Sequence, residues 1–197
     1  DRASPELLRR VLESVPRQLG TKFVYTQVDT DSRHAELKRA LERLVLARLC
    51  HRVEHTAGNG VPLGAETNEK FFKAILADVG LAGALLALPA VRQRDAESLV
   101  WVNRGGMAEQ VVGQLLLAAR PVYEEPRLFC WQRTGGRQGE IDYLFAHGPT
   151  VVPLEVKAGS AGSMKSLHAF MHAKALPVAV RCDTNLPSVA NLQVKTT

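Results

Sequence analysis

The residues best suited to chemistry lie in one stretch, GEIDYLFAHGPTVVPLEVKAG, residues 139–159. His147-Gly148-Pro149-Thr150 reads as a turn between two strands, so residue numbers facing each other across a symmetric hairpin sum to about 297. That register sets Asp142 opposite Glu155. Side chains alternate along a strand. Glu140 and Asp142 therefore share a face with Glu155 and Lys157, while Ile141, Tyr143 and Phe145 share the other with Leu154 and Val156. Neighbouring carboxylates repel and raise each other's pKa in a partly buried site, and a divalent cation relieves that repulsion. Hard oxygen ligands with retained waters suit Mg²⁺ or Mn²⁺, and a lysine beside them can orient or deprotonate an attacking water. A surface hairpin with solvated cross-strand ion pairs is the other reading of this spacing. The flanks Leu154-Glu155-Val156-Lys157, which place charges in an otherwise buried-looking strand, favour the site.

Other candidate residues are scattered. Glu109 shares a helical face with Val112, Gly113 and Leu116, which points it toward packed partners and makes it a third acid, or else a glutamate favoured by the dipole of the first helical turn. Residues 159–166, GSAGSMKS, lack the glycine that a P-loop needs before its lysine, because Met164 stands there. Ser163 and Lys165 at a helix start could still meet a nucleic-acid phosphate, the alternative being a loop and a helix cap. His168 and His172 are spaced i, i+4 without a third zinc ligand, and Cys50, His51 and His55 form no matching set. Arg39 and Arg43 could face DNA from a recognition helix, although Glu36 and Glu42 interrupt that basic face. Trp101 and Trp131 are too isolated for a base-stacking platform.

The elements that would position these residues follow from periodicity. Pro5 starts a helix with Leu7, Leu8, Val11, Leu12 and Val15 on one stripe, closed by Pro16 and Gly20. A second helix starts at Asp31 or Ser32 and repeats Leu37, Leu41, Leu44, Val45 and Leu49. CHRVEHT and FFKAILADVG read as strands around a Gly/Asn/Pro loop, giving the outline of a winged helix. Leu81–Leu88 reads as a short buried helix and 89–95 as a boundary. From Gly105 the order is αβββαβ: a helix over 107–119, strands over 127–133, 139–146 and 151–157, a helix capped by Ser163 and running to Lys174, and a buried strand over 176–182.

Composition sets the outer bounds. The chain has 197 residues, 46% hydrophobic and 23% charged, which is a globular rather than a disordered composition. Its longest apolar run, Leu81–Ala90, is far short of the roughly 20 residues a spanning helix needs, so no membrane association is expected and the cytoplasm is the expected compartment. Three separated cysteines signal no disulfide framework. The net charge of +5 is a weak pointer to nucleic acid, concentrated in residues 1–50 and 151–197. The opening Asp1 reads as the start of a fragment.

The order αβββαβ, with Glu109, Asp142 and Glu155-x-Lys157, resembles the PD-(D/E)XK restriction-endonuclease-like superfamily. NRGGMAEQVVGQLLLA, FCWQR, GEIDYLF, VPLEVKAG and GSMKSLHAF, spread in order over about residues 103–182, look more closely like the C-terminal domain of unknown function of prokaryotic AAA-type ATPases. TDSRHAELKRALERLVLARLCHRVEHT and NEKFFKAILADVGL fit the same family. The resemblance implies an α/β chain: a winged-helix-like α+β region over 1–95, then a restriction-endonuclease-like domain over 96–197. It implies metal ligation by Asp142 and Glu155, Lys157 as the catalytic lysine and Glu109 as the helix acid, with Ile141 where the simplest motif has proline. It further implies a preceding P-loop ATPase domain in the same full-length chain, the only route by which ATP enters. Metal-dependent phosphodiester hydrolysis or binding of DNA or RNA is the leading expectation. The alternative is a catalytically inactive module that mediates protein interaction or regulates the attached ATPase.

Overall fold

A computed structural model describes residues 4–89, 102–133 and 139–191. The described residues form a mixed α/β structure with five α-helices and a six-stranded mixed sheet, hydrogen-bonded in the order β2-β1-β3-β4-β5-β6. The strands are β1 (Cys50–Thr56), β2 (Thr67–Leu76), β3 (Leu128–Gln132), β4 (Glu140–His147), β5 (Thr150–Val156) and β6 (Val180–Cys182). The chain divides into two compact units, one of Asp1–Val53 with Phe71–Arg127 and one of Glu54–Lys70 with Leu128–Thr197. The boundary expected at residue 95 and Trp101 lie outside the described residues.

In the first unit, α1 (Pro5–Ser14) starts where the sequence indicates: Ser4 Oγ accepts the Leu7 N–H at 3.1 Å and Pro5 fills the first turn, where its missing N–H costs nothing. Its stripe buries Val11 completely, and Val15 just beyond the helix. Helix α2 (His34–Leu46) starts two to three residues later than expected. Asp29 explains the delay, because its carboxylate accepts from Asp31 N and Ser32 Oγ and pairs with Arg10, holding 29–32 in a turn. Leu37, Ala40, Leu41 and Leu44 make the buried face of α2, whereas Leu49 lies past the helix end and is exposed. Helix α3 (Val79–Leu85) is less buried than its apolar sequence suggests, with Ala82 its single buried residue.

Helix α4 (Arg104–Ala118) falls in the first unit. Its buried stripe is Gly106, Gln110 and Gly113, small residues flanking one polar side chain. A Cβ on Gly106 would stand 2.6 Å from the Leu19 carbonyl oxygen, so the helix approaches that backbone as only glycine allows. Gln110 is fully buried and behaves as a strand partner: its Oε1 accepts the Leu76 N–H and its Nε2 donates to the Leu76 carbonyl, both at 2.8 Å.

The second unit has the element order β3, β4, β5, α5 (Lys165–Lys174), β6. Strands β3, β4 and β5 run antiparallel in succession, and β6 pairs parallel to β5 after the α5 crossover. Leu63, Phe129, Ile141, Leu144, Val151, Leu167 and Phe170 form its core, with Trp131 laid against Phe170 at a ring separation of 4.8 Å. Two expectations change here. The N-terminal flanking residue of α5 is Met164, not Ser163, whose Oγ only accepts the Lys165 N–H at 3.4 Å. The last strand is three residues long and half exposed, because Ala175 in the left-handed region and Pro177 break the run before it pairs.

The double bond of Gln110 to Leu76 yields a stability test. Gln110→Ala strands a buried N–H and a buried C=O, so urea unfolding should show a loss of about 2–4 kcal/mol, while exposed Val111→Ala on the same helix should stay within about 0.5 kcal/mol.

Candidate functional site

The hairpin has the expected register. Tyr143 faces Leu154, Leu144 faces Pro153 and His147 faces Thr150, each pair summing to 297, with Gly148 at a positive φ of 56° in the two-residue turn. The paired residues run as far as Tyr143 and Leu154, and beyond them Asp142 reaches across to the Val156 N–H of β5. The residues facing each other show where the sequence reading oversimplified. Ile141 lies in one core cluster with Leu144, Val151, Leu167 and Phe170, so strict alternation does not hold along β4 beside Asp142, where β3 and β4 also pair with a register shift. Tyr143, Val152 and Leu154 are buried too.

Both carboxylates are buried, Asp142 to 8% exposure and Glu155 to 7%. Asp142 Oδ2 accepts the Val156 N–H at 2.7 Å, which fixes that carboxylate against the neighbouring strand. Glu155 Oε1 accepts from Lys157 Nζ at 2.5 Å. Glu155 Oε2 is buried and has no hydrogen-bond partner. Burial pushes the Glu155 carboxyl up from its ordinary range, and the charges of Asp142 and Glu140 push it the same way, against the lowering effect of Lys157. Two hard-oxygen donors side by side, one with an orphaned buried oxygen, fit a hard divalent cation that keeps several waters. Among the described residues, no group of three or more His, Cys, Asp or Glu side chains converges as a metal centre.

The remaining candidates are elsewhere. Glu109, on α4 of the first unit, pairs with Lys73 at 2.9 Å, where the lysine is 3% exposed in the middle of β2. Arg39 and Arg43 are on α2 in the same unit, Arg39 exposed and Arg43 half-buried. Ser163 and Lys165 are exposed at the start of α5. His168, on that helix, has a buried Nε2 without a hydrogen-bond partner. Lys73 went unnoticed in sequence although a lysine inside FFKAIL is itself a signal of a buried ion pair. Arg181 and Asn185 carry no such signal, because Arg181 comes opposite Glu155 and Asn185 reaches Ser160 only once β6 pairs with β5.

Residues 104–191 match the model of a family described as Domain of unknown function (DUF4143). Residues 1–92 match that of Domain of unknown function (DUF8612). No curated protein and no solved structure matches the chain. The DUF4143 match takes in α4 through β6, and with them Glu109, Asp142, Glu155, Lys157, Ser163 and Lys165; Arg39 and Arg43 lie in the DUF8612 match. Among the described residues, no helix is long and apolar enough to cross a membrane.

The raised Glu155 carboxyl predicts a pH dependence of stability. Below its ordinary pKa of 4.5 the group is neutral in both states. As pH rises from there through the raised folded value, the unfolded chain ionises first, so this group's contribution to stability falls and then levels off. Glu155→Gln removes that loss. Unfolding free energies measured in urea across this range should show the variant gaining on the parent as pH rises, and parallel curves would show that the burial of Glu155 carries no such penalty.

Proposed function

We propose that the β4–β5 hairpin carries a divalent-cation site for phosphodiester hydrolysis on DNA or RNA, in the restriction-endonuclease-like manner that the Asp…Glu-x-Lys pattern resembles. The observation that carries this reading is the buried Glu155 with one oxygen on Lys157 and the other without a partner, close enough to buried Asp142 to feel its charge. A buried carboxylate oxygen without a partner is costly, and a cation shared with Asp142 removes the cost. Asp142 and Glu155 hold Mg²⁺ or Mn²⁺, which when bound supplies Lewis-acid polarisation of the scissile phosphate. Asp142 is held rigid for that task by the Val156 N–H. Lys157, next along the strand face, positions the attacking water and stabilises negative charge developing beside it. Glu109 has a different task in this reading, as the partner of Lys73. Exposed Lys165 and Ser163 at the start of α5 contact the nucleic-acid backbone, and Arg39 and Arg43 add basic contacts from α2. The DUF4143 match supports a setting in which this region follows an AAA-type ATPase domain, with the first helices and strands acting as a winged-helix-like element.

A second reading draws on the internal pairing of the acids. Asp142 with Val156 N–H and Glu155 with Lys157 already satisfy part of the site, as in a nuclease-like module that no longer cuts and instead contacts a protein or the attached ATPase.

Cleavage assays separate the two. With Mg²⁺ or Mn²⁺ and a panel of branched, duplex and single-stranded substrates, the protein should cut, and chelator should stop it. Asp142→Ala should abolish cutting, and Lys157→Ala should slow it by about 10²-fold or more. Undiminished cutting by both variants sinks the assignment. Metal-independent binding without cleavage of any substrate supports the second reading.

A further inference from the structure

The connection after β5, residues 158–164, returns over the lysine that the strand presents. Gly162 has a φ of 148°, and a Cβ built on it would stand 2.6 Å from Lys157 Cδ and 3.0 Å from Cε, so the glycine backbone lies directly on the lysine stem. The same loop is tethered at Ser160, whose carbonyl oxygen accepts from Arg181 Nη2 at 2.8 Å and from Asn185 Nδ2 at 3.2 Å. Asp183 ties those donors together: Arg181 Nε pairs with its Oδ2 at 2.6 Å, and Asn185 donates its backbone N–H to Oδ1 and its amide to Oδ2. Arg181 is the register partner of Glu155 across the parallel β5–β6 pair, and Lys157 N–H donates to the Cys182 carbonyl. A lysine has four rotatable stem bonds and loses much of that freedom when ordered. Here its backbone, stem and ammonium are each held by a different group.

We infer that residues 158–164 form a clamp for Lys157, in which Arg181 and Asn185 hold the Ser160 carbonyl so that Gly162 seats the lysine stem with its ammonium on Glu155. Arg181, Asn185 and Gly162 are positioning residues. The inference rests on the hydrolytic reading only for its purpose; the clamp itself is a claim about where Lys157 is held. It also accounts for the glycine- and serine-rich character of 159–163, which the sequence leaves as an incomplete phosphate loop: small residues let the backbone lie against the lysine.

The test acetylates the full chain with an N-hydroxysuccinimide ester, without metal, and quantifies each lysine by mass spectrometry. Arg181→Ala and Gly162→Ala should each speed modification of Lys157 by about five-fold, the release expected from losing about one hydrogen bond's worth of restraint, while buried Lys73 and exposed Lys165 keep parental rates. Arg181→Lys, which retains a donor for Ser160, should restore most of the protection. Unchanged labelling of Lys157 in both variants overturns the clamp, and so does equal acceleration at Lys73, which marks general loosening. Labelling that responds in a protein that cuts no substrate supports the clamp and removes the hydrolytic reading. Where cutting is measurable, Arg181→Ala should lower kcat and leave KM for the nucleic acid unchanged.

Discussion

Pairing of β4 with β5 is the constraint on which the second unit depends. A two-residue connection, with Gly148 in the left-handed region, leaves one register, and a slip of a single residue would turn every side chain to the opposite face. A slip of β4 would put Tyr143 where Asp142 now lies, and a slip of β5 would put Leu154 where Glu155 lies. The surrounding core guards against it, because Leu144 and Val151 must meet Leu167 and Phe170 at the same time. Apolar packing and acid placement are therefore one choice, made by one turn.

The buried acids then face a physical problem. Burial penalises ionised Glu155, and Asp142 adds repulsion. The chain answers with the Val156 N–H for Asp142 and Lys157 for Glu155, and leaves one Glu155 oxygen without a protein partner. In the first unit a comparable problem is closed more completely. Lys73 has Glu109, and the last residue of β2 has both of its backbone groups satisfied by Gln110. The contrast separates polar groups that serve packing from a site that retains unsatisfied capacity.

Local signals carried much of this. The hairpin register, the start of α1 and the element order from α4 to β6 follow from a turn, a cap and periodicities that each act over a few residues. What escaped depended on distant partners. Asp29 delays α2 through contacts with Arg10 and Ser32, and α3 lacks cover despite its apolar sequence. Glu109 reads as a site acid in sequence, where nothing local announces that buried Lys73 of β2 pairs with it.

Strand β6 shows how a weak element can still have positional meaning. It is three residues long and half exposed, so it adds little buried apolar area. Its pairing with β5 nonetheless places Arg181 beside Glu155 and the Cys182 carbonyl on the Lys157 N–H. A longer, fully buried strand would have continued past residue 182 and taken Asp183 and Asn185 into the ladder. Ending early leaves the two side chains to bond each other and Asn185 to donate to the Ser160 carbonyl. The two ends of β6 thus do different things: Ala175 in a left-handed conformation and Pro177, which withholds an N–H, delay its start after α5, while its end at Cys182 leaves Asp183 and Asn185 to hold the loop over Lys157.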